Sequence, residues 1–356
     1  MTQQKNYFVK NKMNNKKTKK NNLVEKPKRI YGERKNFGEE ILSKELGEKY
    51  VEYRKKWVKA SKRKIVTDFP LYVQIEHVGR CNLRCPTCPN GIDVLRENYT
   101  KGITKPLDIK LYKKILNEAK KYNCPSIAFH NNDEPLLLKD LVERVRMAKD
   151  AGFLDIIITT NANLLTLERT RQLLGSGITK LSFSLDSWNK EDYEKIRKGG
   201  KFDIVLKNIE YFLEEKKRRN LKLPITRATC VLTKFTYKDM EKFRDFWQKR
   251  VDMVEFQNLQ VLKGHTENLL PPGAKIDNTF ICNNPWEQVV IRPNGDILPC
   301  CSFYGNGLVL GNIINSSVYE VWHGQKMKKI RKELLKNNFA FSPVCKMCSE
   351  TFYTLQ

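Results

Sequence analysis

The 356-residue chain reads as an α/β protein. It is expected to form a parallel β/α barrel left open at six units, followed by a small cysteine-rich C-terminal unit. Three observations predict this. Strand-like and helix-like stretches alternate strictly through the middle of the chain, which implies a parallel sheet with helices outside. Six such units are too few for a closed eight-stranded barrel, so a partial (β/α)6 TIM-type barrel is the natural outcome. After about residue 264 the alternation gives way to a hairpin pattern and clustered cysteines.

Taken in order, residues 1–22 hold seven lysines, six asparagines and no acid. That stretch is too polar to pack, and a basic disordered arm is expected over 1–38. An N-terminal helical extension follows over 39–70, with Ile41, Leu42, Leu46, Tyr50, Val51, Tyr53 and Trp57 as an apolar stripe. Strands are expected at 71–77, 126–130, 154–160, 179–185, 225–232 and 253–260. These stretches are rich in Val, Ile, Thr and Phe, and most are bounded by Gly, Pro, Asn or Asp. Helices are expected between them at 108–122, 138–151, 166–174, 203–219 and 236–249. Gly152 and Gly175 stand where helix C-terminal glycines belong. The barrel core is thus placed at 71–264. Pro271-Pro272-Gly273 opens the C-terminal unit, 265–356, where 287–300 reads as a hairpin around a Pro-Asn-Gly turn and a helix follows near 317–335. This unit has little core of its own, and a metal centre would supply the missing stability.

Composition narrows the function classes. Hydrophobic residues make up 40% and charged residues 30%, which is globular rather than collagenous or wholly disordered. No apolar run approaches membrane length, and the basic N-terminus lacks an apolar signal region. A cytoplasmic location is expected. In that compartment ten cysteines point to metal or redox chemistry rather than disulfides. The net charge is +26, and residues 1–70 hold 21 Lys/Arg against 8 Asp/Glu. Such an excess suits a small anionic substrate. It allows nucleic-acid contact, but Tyr7 and Phe8 are the only aromatics in the first 22 residues, which gives base stacking little support.

Chemistry in parallel barrels collects at the C-terminal ends of the strands, and the polar residues fall there. The first strand leads to Cys81-x3-Cys85-x2-Cys88, within GRCNLRCPTCPN. The second leads to His130-Asn131-Asn132-Asp133-Glu134-Pro135, the third to Asn161, the fourth to Ser184 and Asp186, and the sixth to Gln257-Asn258. A closed zinc site needs four ligands, so three cysteines are one short unless His77 completes the set. Three thiolates equally suit a four-iron cluster with one iron left open.

C-N-L-x-C-x-x-C after a first strand resembles the signature of the radical S-adenosylmethionine (SAM) superfamily. The resemblance implies a [4Fe–4S] cluster on Cys81, Cys85 and Cys88, with SAM chelating the fourth iron and cleaved by one electron to a 5′-deoxyadenosyl radical. The family usually has Gly-Gly-Glu-Pro after its second strand, where the backbone meets the SAM amino group. Here Asn132-Asp133-Glu134-Pro135 stands in that place, matching at Glu134 and Pro135 only. Asn161, Ser184 and Asp186 match positions that contact the SAM ribose or carboxylate. Arg197 could meet a carboxylate, but reads rather as a solvated surface arginine. No P-loop or dinucleotide fingerprint is present.

The late cysteines run Cys282-x12-Gly295-x4-Cys300, then Cys345-x2-Cys348. Four thiolates suit a zinc site or a fully ligated cluster. Beside the first motif, the pattern resembles the auxiliary-cluster domains called SPASM and twitch. No cysteine follows Cys348, so the shorter twitch form with one auxiliary [4Fe–4S] cluster is implied. Cys301 competes with Cys300 for the ligand position, and spacing favours Cys300. Cys124 and Cys230 are expected to be core thiols.

The expected function is that of a radical SAM oxidoreductase. It would take a hydrogen atom from a small polar, sugar-like molecule and pass an electron to the auxiliary cluster, with an external reductant such as flavodoxin or ferredoxin. Maturation of a ribosomally made peptide and modification of RNA are the alternatives. Residues 1–65 show no strand pattern for a leader-binding domain, which weighs against the peptide reading. A plain electron carrier would gain nothing from an open iron. No His/Asp pairing identifies a catalytic base, and His265 and His323 read as surface residues.

Overall fold

The computed structural model describes residues 37–355. The basic arm expected over 1–38 therefore lies almost entirely outside the described residues. Helix α1, Phe37–Ser61, bends at Gly47, where φ is 72°. Strands β1 (Tyr72–Ile75), β2 (Ser126–Phe129), β3 (Asp155–Thr160), β4 (Lys180–Ser184), β5 (Ile225–Leu232) and β6 (Met253–Asn258) each lie within the stretch expected for them. They pair side by side in chain order, all parallel. Helices α2 (Asp93–Thr100), α3 (Ile109–Lys121), α4 (Leu141–Asp150), α5 (Leu167–Leu174), α6 (Lys190–Ile196), α7 (Phe202–Arg218) and α8 (Met240–Trp247) connect them. The result is the partial β/α barrel that the alternation predicted. Helices α2 and α6 were not expected.

The helices form for local reasons. In α3, Tyr112, Ile115, Leu116 and Ala119 are buried at helical spacing. Asp108 caps its start by accepting from the amides of Lys110 and Leu111 at 2.7 and 3.3 Å. Lys120 and Lys121 sit favourably in the last turn. Burying one such aliphatic side chain contributes about 1.5–3 kcal/mol. Cys124 and Cys230 are buried in the same core, as expected of them.

Helix α1 closes the N-terminal end of the barrel. Lys180 Nζ, at the start of β4, donates to the Tyr50 hydroxyl at 3.3 Å and to Asp155 Oδ2 at 2.8 Å. The Trp57 and Tyr72 rings meet edge to face at 6.0 Å. The C-terminal ends of the strands are left for chemistry.

The C-terminal segment adds β7 (Ala274–Ile276), α9 (Asn284–Glu287), β8 (Gln288–Ile291), β9 (Asp296–Leu298), β10 (Gly311–Asn312), α10 (Val318–Trp322), α11 (Gln325–Leu335), α12 (Pro343–Ser349) and β11 (Tyr353–Leu355). The expected hairpin is β8–β9, and its turn uses Gly295 at φ 88°. It does not stand apart. Strand β8 pairs parallel with β1, so one nine-stranded sheet runs β10-β9-β8-β1-β2-β3-β4-β5-β6. Trp286, Val289, Ile291 and Trp322 share a single core with the barrel. The single helix expected near 317–335 is two, α10 and α11, broken at Gly324. Strands β7 and β11 pair separately, antiparallel.

Candidate metal and active site

The loop carrying Cys81, Cys85 and Cys88 leaves the end of β1 and is clasped by three other strand ends. From the second, Asp133 Oδ2 accepts from the Val78 amide at 2.9 Å, and the Glu134 amide donates to the Arg80 carbonyl at 3.0 Å. From the third, Asn161 Nδ2 donates to Asn82 Oδ1 at 2.9 Å. Beyond the fourth, the Lys198 carbonyl accepts from the Arg84 amide at 2.8 Å. Within the loop, Gly91 is required, because a Cβ there would stand 2.0 Å from the Cys85 carbonyl oxygen. Asn90, buried beside Cys88, donates to the Asn132 carbonyl and ties the loop to the second strand end again.

Each of the three sulfurs is approached by an N–H group. The Leu83 amide lies 3.4 Å from Cys81 Sγ and Asn161 Nδ2 lies 3.7 Å from it. Asn90 Nδ2 is 3.9 Å from Cys88 Sγ, and Arg197 Nη1 is 3.9 Å from Cys85 Sγ. Burial pushes the Cys81 thiol up to about 12, and the neighbouring Glu134, Cys85 and Cys88 add to the rise. Burial likewise pushes Cys85 up to about 11, with Arg197 opposing it. Iron bound there would offset that cost, because it deprotonates its thiol ligands. The N–H groups are the kind of neighbour that stabilises a cluster's sulfur ligands. Donor set and surroundings fit three ligands of a four-iron cluster.

The zinc alternative fails on geometry. His77 does not join the cysteines. It is buried against Phe129, rings stacked at 4.9 Å, with Arg144 Nη1 at 3.4 Å from its Nδ1.

The other expected site residues lie around the loop, with different duties. Glu134 is fully buried; it accepts from the amides of Leu136 and Asn161 at 3.0 and 2.8 Å and from Thr160 Oγ1 at 2.6 Å. Burial still pushes it up to about 7. Asp133 takes the Val78 and Asn131 amides, and burial pushes it up to about 6. The Asp133 carboxylate holds the loop, and the Glu134 carboxylate ties the second strand end to the third. Asn132 and Ser184 are half-buried. Asn161 reaches Cys81, as given above. Asp186, 3% exposed at φ 62°, accepts from the Val231 amide at 2.8 Å. Its second oxygen lies 2.8 Å from Arg197 Nε. Arg197 is therefore not the solvated residue expected: its side chain is 14% exposed and bridges Asp186 to Cys85. His265 is exposed as expected, whereas His323 is half-buried and held 2.8 Å from the Asp68 carbonyl.

The second cysteine group gathers in the C-terminal segment. Burial pushes Cys282 up to about 12, with Cys348, Cys345 and Cys301 adding to the rise. Burial holds Cys300 well above its ordinary value, with Cys282, Cys301 and Cys348 acting in the same direction. Ser302 Oγ and Cys348 Sγ are 3.4 Å apart. Gly305 makes room beside the group, since a Cβ there would stand 2.7 Å from Cys300 Sγ. Five thiols, Cys301 included, thus share one neighbourhood, and their chemistry fits a fully ligated cluster.

Comparison with known proteins agrees with this geometry. The pattern of the radical SAM superfamily matches residues 75–246, and that of an iron–sulfur cluster-binding domain, SPASM, matches 282–349. The chain belongs to the radical SAM superfamily. This radical SAM enzyme uses SAM and [4Fe–4S] clusters. It is 25% identical over 279 residues to the S-adenosyl-L-methionine-dependent 2-deoxy-scyllo-inosamine dehydrogenase of Niallia circulans, covering 78% of this chain and 92% of that protein. It is 30% identical over 215 residues to the PqqA peptide cyclase of Bradyrhizobium diazoefficiens, covering 58% of this chain and 52% of that one. The crystal structure of BtrN in complex with AdoMet and 2-DOIA matches with a TM-score of 0.51 at 24% identity, covering 77% of this chain and 91% of that one, which shows a shared fold. Among the described residues no helix is long and apolar enough to cross a membrane.

Two features of the site escaped sequence reading. The first is the Asp186–Arg197 pair. The second is Glu76 at the end of β1, fully buried, bonded to the Tyr99 hydroxyl and near Asn131 Nδ2 at 3.4 Å. Burial pushes Glu76 up to about 8, with Asp133 adding to the rise. The available signal was a charged residue directly after an apolar strand.

Proposed function

We propose that this radical SAM enzyme dehydrogenates a small, polar, sugar-like molecule. The observation that carries the reading is the cysteine loop clasped by three strand ends at the open face of the barrel. Cys81, Cys85 and Cys88 would hold the SAM-binding cluster, and the backbone of 132–134, together with Asn161, Ser184 and Asp186, would receive SAM. With cluster and SAM bound, the site supplies a 5′-deoxyadenosyl radical that takes a hydrogen atom from the substrate. The barrel, 71–264, encloses that reaction. The C-terminal unit, 265–356, would hold an auxiliary cluster on Cys282, Cys300 or Cys301, Cys345 and Cys348 to accept the second electron. Full ligation favours electron transfer over substrate chelation there. The likeness to a dehydrogenase across most of both chains supports this reading. An external flavodoxin or ferredoxin would supply the first electron.

The test is anaerobic incubation of reduced, reconstituted protein with SAM and candidate sugars and cyclitols. The expected products are 5′-deoxyadenosine and a substrate lighter by two hydrogens. An unchanged mass or a rearranged skeleton rejects dehydrogenation. The second reading, peptide maturation, is favoured by the 30% identity to a peptide cyclase; a crosslinked peptide product would establish it.

A further inference from the structure

The inner face of the barrel is polar where the outer face is not. Side chains alternate along each strand. On β4, Leu181 and Phe183 face the helices at 0% exposure, which sends Ser182 and Ser184 inward. On β5 and β6, Ala228, Val254 and Phe256 join the core, which sends Arg227, Glu255 and Gln257 inward. From β1, Gln74 Nε2 reaches across to the His130 carbonyl at 2.7 Å. Barrels of this kind ordinarily fill their interior with layers of branched aliphatic side chains. Here Ile157, Thr159, Ser184, Arg227 and Gln257 stay partly exposed inside the wall. Open space therefore lies within it. Helix α1 closes one end, through Tyr50 on Lys180, and the cysteine loop stands at the other.

The strand charges of this chamber are already matched. Arg227 Nη1 lies 2.5 Å from Glu255 Oε2, and Arg227 Nε donates to Ser182 Oγ at 3.0 Å. The Glu255 side chain has 0% exposure and that of Arg227 has 29%. Lys180 lies 2.8 Å from Asp155 Oδ2. Arg292, at the mouth, is buried over the Tyr99 ring at 4.4 Å and donates to the Tyr99 carbonyl. Burial pushes His130 down to about 3, with Arg227 adding to the effect, so its imidazole enters as a neutral group. Among the described residues, Lys180 and Arg227, the strand cations of the inner wall, each have a carboxylate beside them, whereas Arg292 Nε at the mouth has no hydrogen-bond partner. A phosphate that drew Arg227 away from Glu255 would leave a fully buried carboxylate without that cation, which is strongly unfavourable.

We propose that this chamber is the substrate pocket, and that the Arg227–Glu255 pair makes it selective for a compact, hydroxyl-rich molecule that carries no phosphate. The inference rests on the dehydrogenase reading of the same site and narrows its substrate class. Against the chain's overall +26 charge, which alone favours anions, the matched wall decides.

The test uses reconstituted full-length protein with SAM bound. The probes are myo-inositol and myo-inositol 1-phosphate, titrated calorimetrically at fixed ionic strength. The expected wild-type result is at least tenfold tighter binding of the unphosphorylated probe. Glu255→Gln releases the charge of Arg227 and should shift that ratio at least tenfold toward the phosphate. Tighter binding of the phosphate by wild type, an unmoved ratio in a folded Glu255→Gln protein, or no binding of either probe overturns the proposal. Should the variant not fold, the wild-type ratio decides alone. A substrate lighter by two hydrogens tests the dehydrogenase reading and the binding ratio tests the selectivity, so either can fail alone.

Discussion

Replacing Arg197 with Met tests whether the pair it forms with Asp186 is buried and structural. The two side chains are 14% and 1% exposed, and the ions stand 2.8 Å apart. Removing one partner of a buried pair typically costs about 3–5 kcal/mol, because the remaining charge is stranded. Asp186 keeps its bond from the Val231 amide at 2.8 Å, which places the expected loss near the lower end, about 3 kcal/mol. At about 2.1 cal/mol/K per residue, a chain of this size melts with an entropy that converts such a loss to a drop of about 4–5 °C. The assay is thermal melting of the reconstituted protein. Asp186→Asn in the same background should recover part of the loss, because no unpaired charge then remains. A melting point of Arg197→Met within about one degree of wild type would refute the reasoning and return Arg197 to the solvated surface.

Further outcomes follow from the same geometry. The intact protein should carry about eight irons, and Cys81, Cys85 and Cys88 replaced together by Ala should leave about half, by counting two four-iron clusters. Gly305→Ala puts a methyl group 2.7 Å from Cys300 Sγ; it should likewise lose about four irons, but keep 5′-deoxyadenosine formation with SAM and reductant. Tyr50→Phe removes the hydroxyl shared by Glu39 and Lys180; it should lower stability by about 1 kcal/mol, read as a small fall in melting temperature with unchanged iron.

The parallel strands were legible because they carry continuous apolar runs such as Ile156-Ile157-Ile158, and the helices because α3 and α7 carry apolar residues at helical spacing. The cysteine loop was legible from spacing alone. The parallel pairing of β8 with β1 was not, because a hairpin announces its own turn and says nothing of a third strand far away in the chain. Arg197 was misread because it sits in a run, Lys195 to Lys201, that looks solvated; only the fold brings Asp186 and Cys85 to it. Arg227 and Glu255 were visible as charges in the middle of apolar strands. Their meaning needed the register, which sets Arg227 beside Ser182 and Thr229 beside Glu255.

The central claim is that the chain grips a four-iron cluster by Cys81, Cys85 and Cys88 only, leaving one iron for SAM. Electron paramagnetic resonance of the reduced protein, recorded before and after SAM is added, tests it most directly. Where Gly305→Ala has lost the auxiliary cluster as predicted, that background keeps the auxiliary signal from overlapping. The account predicts a clear change in the cluster's g-values on addition of SAM. An unchanged spectrum, or purified protein whose cysteines hold zinc alone, would contradict it.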